Sequence, residues 1–180
     1  MIAYVFWHAR ERNFDAPTYE ATLLRFHAEL ATAQIEGFIS SQSFAVSGTP
    51  WVREPHAYED WYLLADSCAL DRLNDAAVRA RARGPHDALA AASIFGDAGL
   101  YRLWAGPPGC SASHAAWFSK PQGMAYVEAY ERIARAAGGA SAWQRQMVLG
   151  PSREFCLLSE RPVELPAPFE PILVSRRLVL

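Results

Sequence analysis

Residues 19–46 read YEATLLRFHAELATAQIEGFISSQSFAV, and the rest of the chain is arranged around them. Tyr19, Leu23, Phe26 and Leu30 stand at i, i+4, i+7 and i+11, one apolar stripe on a 3.6-residue period. Asp15 is placed to cap a helix here. Pro17 suits its first turn, where the backbone donor it lacks would be unpaired anyway. Gly37 closes the connection, and Phe38–Val46 reads as a strand. The stripe returns as Tyr126, Tyr130, Ile133 and Ala137, with Tyr126 standing 107 residues after Tyr19. The strand returns as well, since Gln42 and Gly48 answer to Gln144 and Gly150, 102 residues on.

Working outward, Ile2–Ala9 is a strand of β-branched and aromatic residues with two apolar faces. One face carries Ile2, Tyr4, Phe6 and His8, the other Ala3, Val5, Trp7 and Ala9. Both faces are therefore expected to be covered, one by helices and one by another sheet. Tyr58–Ala65 is a third strand, Ser67 caps a helix buried through Leu70, Leu73 and Ala77, and Gly84-Pro85 ends it. A short helix at His86–Ile94 and a strand at Leu100–Trp104 complete a β-α-β-β-α-β order, the ferredoxin-like arrangement. After the turn-rich Ala105–Ser113 the pattern restarts: strand His114–Ser119, helix Gly123–Ala137, and strands Ser141–Leu149, Glu154–Ser159 and Ile172–Leu180. Arg161–Pro171 holds four prolines in eleven residues and is expected to be irregular where a second crossover helix would stand.

The expected fold class is thus α+β: two tandem ferredoxin-like (βαββαβ) repeats packed sheet to sheet within one chain, a pseudo-dimeric α+β barrel. Residues 1–105 form the first repeat with a candidate pocket, 106–113 a linker, and 114–180 a degenerate second repeat without its second helix. Two four-stranded sheets with helices on one face each have bare faces to bury, and they bury them against each other.

At 180 residues, folding hides roughly 70% of the unfolded chain's surface, so the core needs no metal or disulfide. A net charge of −2 gives no reason to expect nucleic acid or an anionic membrane as partner. Cys68, Cys110 and Cys156 are odd in number and scattered, which fits a reducing compartment, and Met1–His8 is too short to span a bilayer. A cytoplasmic protein is the expectation, with further homo-oligomerisation left open.

No dinucleotide, P-loop, C-x-x-C or H-E-x-x-H pattern is present, and the five histidines do not fall at metal-ligand spacing, so neither metal nor cofactor is expected. His27 is singled out. It lies about 70° from the centre of the stripe, at the edge of the buried face, where a cavity between helix and sheet would form. Its counterpart in the second repeat is Ala134. Two readings stand side by side: a general acid/base working near neutral pH, and a boundary histidine bonded to a carbonyl. Trp7, Tyr19, Trp61 and Tyr62 are the candidate substrate-binding wall, although strand aromatics are ordinarily core.

Met1-Ile2, Tyr19, Phe26-His27-Ala28-Glu29-Leu30 and Gly37 together resemble the EthD-like branch of the dimeric α+β barrel superfamily. That branch opens on an M-I strand and carries an aromatic-containing helix ending near H-A-P-L, with a glycine before the second strand. The match spans about the first 45 residues, with Glu29 where the family often has proline. The resemblance implies a small enzyme or accessory factor of aromatic or polyketide-like metabolism. The wider superfamily includes cofactor-independent monooxygenases and muconolactone-isomerase-like enzymes. Its haem-degrading members are set aside, because Trp61 and His86 lie far apart and no asparagine sits on the first strand. The expected function is a small-molecule-binding protein or cofactor-independent enzyme for an apolar compound of aromatic or polyketide-like kind. The competing expectation is a non-catalytic structural or regulatory barrel acting through assembly.

Overall fold

In the computed structural model, which describes residues 1–179, helix α1 (Ala16–Thr32) forms on the apolar stripe. The Asp15 carboxylate accepts from the Thr18 backbone N–H at 2.9 Å, and Tyr19, Leu23, Phe26, His27 and Leu30 are its buried face. Gly37 follows at φ 82°, and a Cβ there would stand 2.7 Å from the Ala69 Cβ. Turn and close approach both demand glycine.

Strand β1 (Ile2–Arg10) lies between β3 (Ala57–Leu64) and β4 (Ser93–Ala105), and β2 (Phe38–Ser47) pairs with β3. Helices α2 (Cys68–Ala77) and α3 (Arg83–Ala91) join α1 over one face of this sheet. The second half supplies β5 (His114–Phe118), α4 (Tyr126–Ala137), β6 (Ser141–Arg145), β7 (Phe155–Ser159) and β8 (Ile172–Leu178). Strand order runs β4-β1-β3-β2 through the first half and β8-β5-β7-β6 through the second. The halves join edge to edge, β2 to β8 and β4 to β6, so the eight strands close into an antiparallel barrel.

Alternation along each strand sends one set of side chains inward. Trp7, Trp61, Trp117 and Trp143 are all fully buried there, with ring centroids 5.4–6.2 Å apart in the pairs Trp7–Trp117, Trp61–Trp117 and Trp61–Trp143. Each buried indole contributes roughly 4–6 kcal/mol of transfer free energy as an upper bound. A barrel filled this way needs no staple; Cys68, Cys110 and Cys156 are all free thiols.

Several local expectations are corrected. Pro85 does not end a helix; it stands in the first turn of α3, where its missing donor costs nothing. The Asp66 carboxylate, not Ser67, receives the first donors of α2, from the Cys68 and Ala69 backbone. Strand β4 begins at Ser93, and β6 stops at Arg145, because Gln146–Leu149 turns back along β4 through Gln146 N–H to Leu100 O and Leu100 N–H to Leu149 O. Helix α4 starts at Tyr126, which is half exposed, and buries Ala129 and Ile133. Arg161–Pro171 contains no helix; it lays Val163, Leu165 and Phe169 on the second half's sheet. Leu180, the end of the last expected strand, lies outside the described residues. Among those residues no helix is long and apolar enough to cross a membrane.

Candidate functional site

The helix-facing side of the first half carries Tyr4, Phe6 and His8 from β1 beside Tyr62, Asp60 and Tyr58 from β3, paired in that order. Helix α1 lays Tyr19, Leu23 and Phe26 across them, and α2, α3 and the start of β4 stand off to one side. What remains between is a cavity of about 810 Å³, lined wholly by residues between Tyr4 and Gly96. Leu23, Phe26, Leu30 and Leu73 make its walls apolar, and His8, Tyr19, Asp60 and Tyr62 form a buried polar floor. Asp71, Asn74, Val78 and Ile94 are exposed members of the lining and mark its rim.

Asp60 is the centre of the floor and is 2% exposed. Its Oδ2 lies 3.2 Å from His8 Nε2 and 3.4 Å from His27 Nε2, and accepts from the Tyr62 hydroxyl at 3.2 Å. Oδ1 has no partner among the described residues. Burial alone would push this carboxyl up, but the two imidazoles of His8 and His27 beside it hold it well below the usual carboxylate range. Burial, then the Asp60 charge, pushes the Tyr62 hydroxyl well up, and burial does the same to Tyr19 against the opposing hydrogen bond from Ser93. The outer ring nitrogens are engaged too. His8 Nδ1 lies 2.7 Å from the Tyr19 hydroxyl, and His27 Nδ1 lies 2.7 Å from the Ser41 hydroxyl. An ionised carboxylate between two imidazoles, at the bottom of an apolar cleft, can hold and move a proton beside a planar apolar ligand. Among the described residues no group of three or more His, Cys, Asp or Glu is placed to hold a metal ion.

The sequence candidates divide. Tyr19 and Tyr62 line the cavity. His27 does not: it is 1% exposed and stacked flat on Tyr62, centroids 5.2 Å apart and 8° between planes, so it reaches Asp60 from behind the floor. Trp7 and Trp61 leave the wall altogether, because successive strand residues face opposite ways and theirs is the barrel interior. There Trp7 and Trp61 donate their indole N–H to Glu59 at 2.8 and 2.7 Å, and Glu59 pairs with Arg176 at 3.0 Å. Sequence reasoning missed His8, Asp60 and Ser93. The available signal was Glu59-Asp60, two carboxylates inside a strand otherwise apolar on both faces.

No family model and no curated protein matches the chain by sequence. Solved structures do match by shape. A candidate monooxygenase from Fusobacterium nucleatum subsp. nucleatum superposes with a TM-score of 0.62 at 6% identity, covering 99% of this chain and 92% of that one. A candidate monooxygenase from Lactobacillus acidophilus NCFM gives 0.56 at 7% identity over 98% and 95% of the two chains. A mutant form of chlorite dismutase from Candidatus Nitrospira defluvii gives 0.51 at 9% identity over 99% and 92%. Identities this low carry the architecture alone: the chain shares with these structures an α+β fold built on an antiparallel barrel.

Proposed function

We propose that the chain is a small enzyme acting by acid–base chemistry on an apolar, aromatic or polyketide-like compound bound in the first half. The observation that carries this reading is the cavity of about 810 Å³ with apolar walls and a buried carboxylate–imidazole pair at its floor. Apolar walls give affinity through buried area, and the few polar groups at the base fix orientation. His8 and Asp60 are the acid–base pair that meets the ligand, Tyr19 and Tyr62 orient it, and His27 positions Asp60 from behind. The EthD-like resemblance of Met1-Ile2 through Gly37 agrees with a site in this half. The competing reading, a barrel acting through assembly of its sheets, has less in its support, because every strand already has both neighbours.

The test is a binding titration with a panel of planar apolar compounds on the parent protein and on Ala77→Trp, which fills the cavity from α2. The parent is expected to bind at least one member, and the variant to lose tenfold or more with its melting temperature nearly unchanged; about 1.4 kcal/mol corresponds to that factor. Equal binding by both proteins, or none by the parent, overturns the reading.

We further propose a tandem origin for the barrel, with residues 1–105 and 114–180 as two ferredoxin-like units joined by 106–113. The repeated strand order supports it, as does the plugging of the second unit by Val163, Leu165 and Phe169 where the first unit keeps its cavity. Expressed separately, each unit is expected to be insoluble, since it would bare two strand edges and an indole-rich face. Co-expression is expected to restore a soluble one-to-one complex. Two soluble, folded halves that ignore each other would count against the fusion.

A further inference from the structure

The polar floor holds more contacts than its hydroxyl groups have hydrogens. Ser93 Oγ lies 2.8 Å from the Leu89 carbonyl oxygen, Tyr19 OH lies 2.8 Å from Ser93 Oγ, and His8 Nδ1 lies 2.7 Å from Tyr19 OH. Three hydrogen bonds need three hydrogens. The two hydroxyls supply two, and the carbonyl can only accept. The third hydrogen must therefore sit on His8 Nδ1. On the other side of the ring, Nε2 lies at ion-pair distance, 3.2 Å, from Oδ2 of Asp60, a carboxylate only 2% exposed that needs a cation beside it; with Nδ1 already protonated, a hydrogen on Nε2 makes His8 that cation.

We propose that Ser93 and Tyr19 are positioning residues that hold His8 as an imidazolium paired with the Asp60 carboxylate, so that the cavity floor stores a proton. His27 differs. Its Nδ1 meets Ser41, whose own hydroxyl hydrogen fills that bond, so nothing there requires a hydrogen on Nδ1 and the ring stays neutral. Two imidazoles on one carboxylate are thereby set in different states, and the charged one is the one that lines the cavity. The groups facing His8 agree with this. Asp60 and Tyr58 face it from β3, the latter stacked at 5.4 Å, Tyr19 faces it from α1, and Phe6 stacks at 5.3 Å on its own strand. Arg10, the nearest fixed cation on β1, is turned to the carbonyls of Glu11, Arg12 and Phe14. Asp60 is thus the charge that His8 meets directly. This assignment rests on the acid–base reading of the cavity and deepens it: His8 and Asp60 hold one proton between them, and the fitting ligand is one whose oxygen exchanges a proton there, such as an enol or phenol.

The experiment reads ring nitrogens by NMR on the full-length protein with ¹⁵N-labelled histidine, at pH 7 and without ligand. His8 is expected to show two protonated nitrogens and His27 one. Ser93→Ala frees the Tyr19 hydroxyl to donate to Nδ1, so the His8 population with hydrogen on Nδ1 is expected to fall about tenfold, what one lost hydrogen bond is worth. Ser93→Thr, which keeps a hydroxyl, is expected to restore it, and Tyr19→Phe to reproduce the loss should Ser93→Ala fold poorly. A single protonated nitrogen on His8 in the parent protein overturns the proposal outright, as does a Ser93→Ala spectrum identical to the parent's. None of these readings needs a ligand, so the failure of the binding panel and the failure of this inference are separate results.

Discussion

Arg176→Ala is expected to lower the unfolding free energy by about 3–5 kcal/mol, read from urea midpoints at constant m-value. The Arg176 and Glu59 side chains are both fully buried inside the barrel, and the guanidinium is held at Nε, at Nη1 and on one face of its plane. Nε donates to Glu59 at 3.0 Å, Nη1 donates to the Cys110 and Ala112 carbonyls at 2.8 and 2.7 Å, and the plane lies 3.6 Å over the Phe44 ring. Removing it leaves an ionised carboxylate sealed among indoles, with only the Trp7 and Trp61 N–H groups to answer it. The lost charge, rather than the lost volume, sets the size of the effect. Adding Glu59→Gln to Arg176→Met should therefore recover most of the stability, because the amide oxygen still accepts from an indole and no charge remains. An Arg176→Ala variant within about 1 kcal/mol of the parent, the range of an exposed pair, would mean the interior is wetter than its packing states.

Asp60→Ala is the second large effect, and its signature is in pH. The substitution leaves two imidazoles and the Tyr62 hydroxyl facing a vacated acceptor, at a cost of about 3–5 kcal/mol near neutrality. The folded-state acid range of Asp60 lies below its unfolded value of about 3.9. Its ionised form thus stabilises the fold fully above that value, and the contribution is lost as pH falls toward the lower, folded one. The stability difference between parent and Asp60→Asn should shrink as pH falls below about 4, where the parent loses the contribution of the ionised carboxylate. Profiles that stay parallel down to about pH 2 would place the carboxylate outside the histidine pair.

The elements that could be read from sequence are those set by local chemistry. The stripe of α1, its Asp15 cap and the glycine after it are each decided within a few residues, and proline alone denies a helix to Arg161–Pro171. The site was harder because it depends on register. Phe6 pairs with Asp60 and His8 with Tyr58 only after β1 and β3 have aligned, and nothing local in either strand fixes that alignment. Alternation was legible and still under-used: Trp61 and Tyr62 are neighbours on one strand and cannot both line one pocket. His27 was found from its helix position, but how far the sheet would cover it depends on Tyr62, which arrives from elsewhere in the chain.

The barrel closes through β2–β8 at residues 44–47 and β4–β6 at residues 101–105, so the strand borders are used up there, while residues 38–42 of β2 and 93–98 of β4 keep a strand neighbour on one side only. A β-segment added to this sheet has only those two short stretches to pair with, so a folded molecule gives fibril growth a much smaller template than an open eight-stranded sheet would. The rest of the surface open to higher assembly is helix and turn, and contacts made there form or part without disturbing the strands that hold the floor of the cavity.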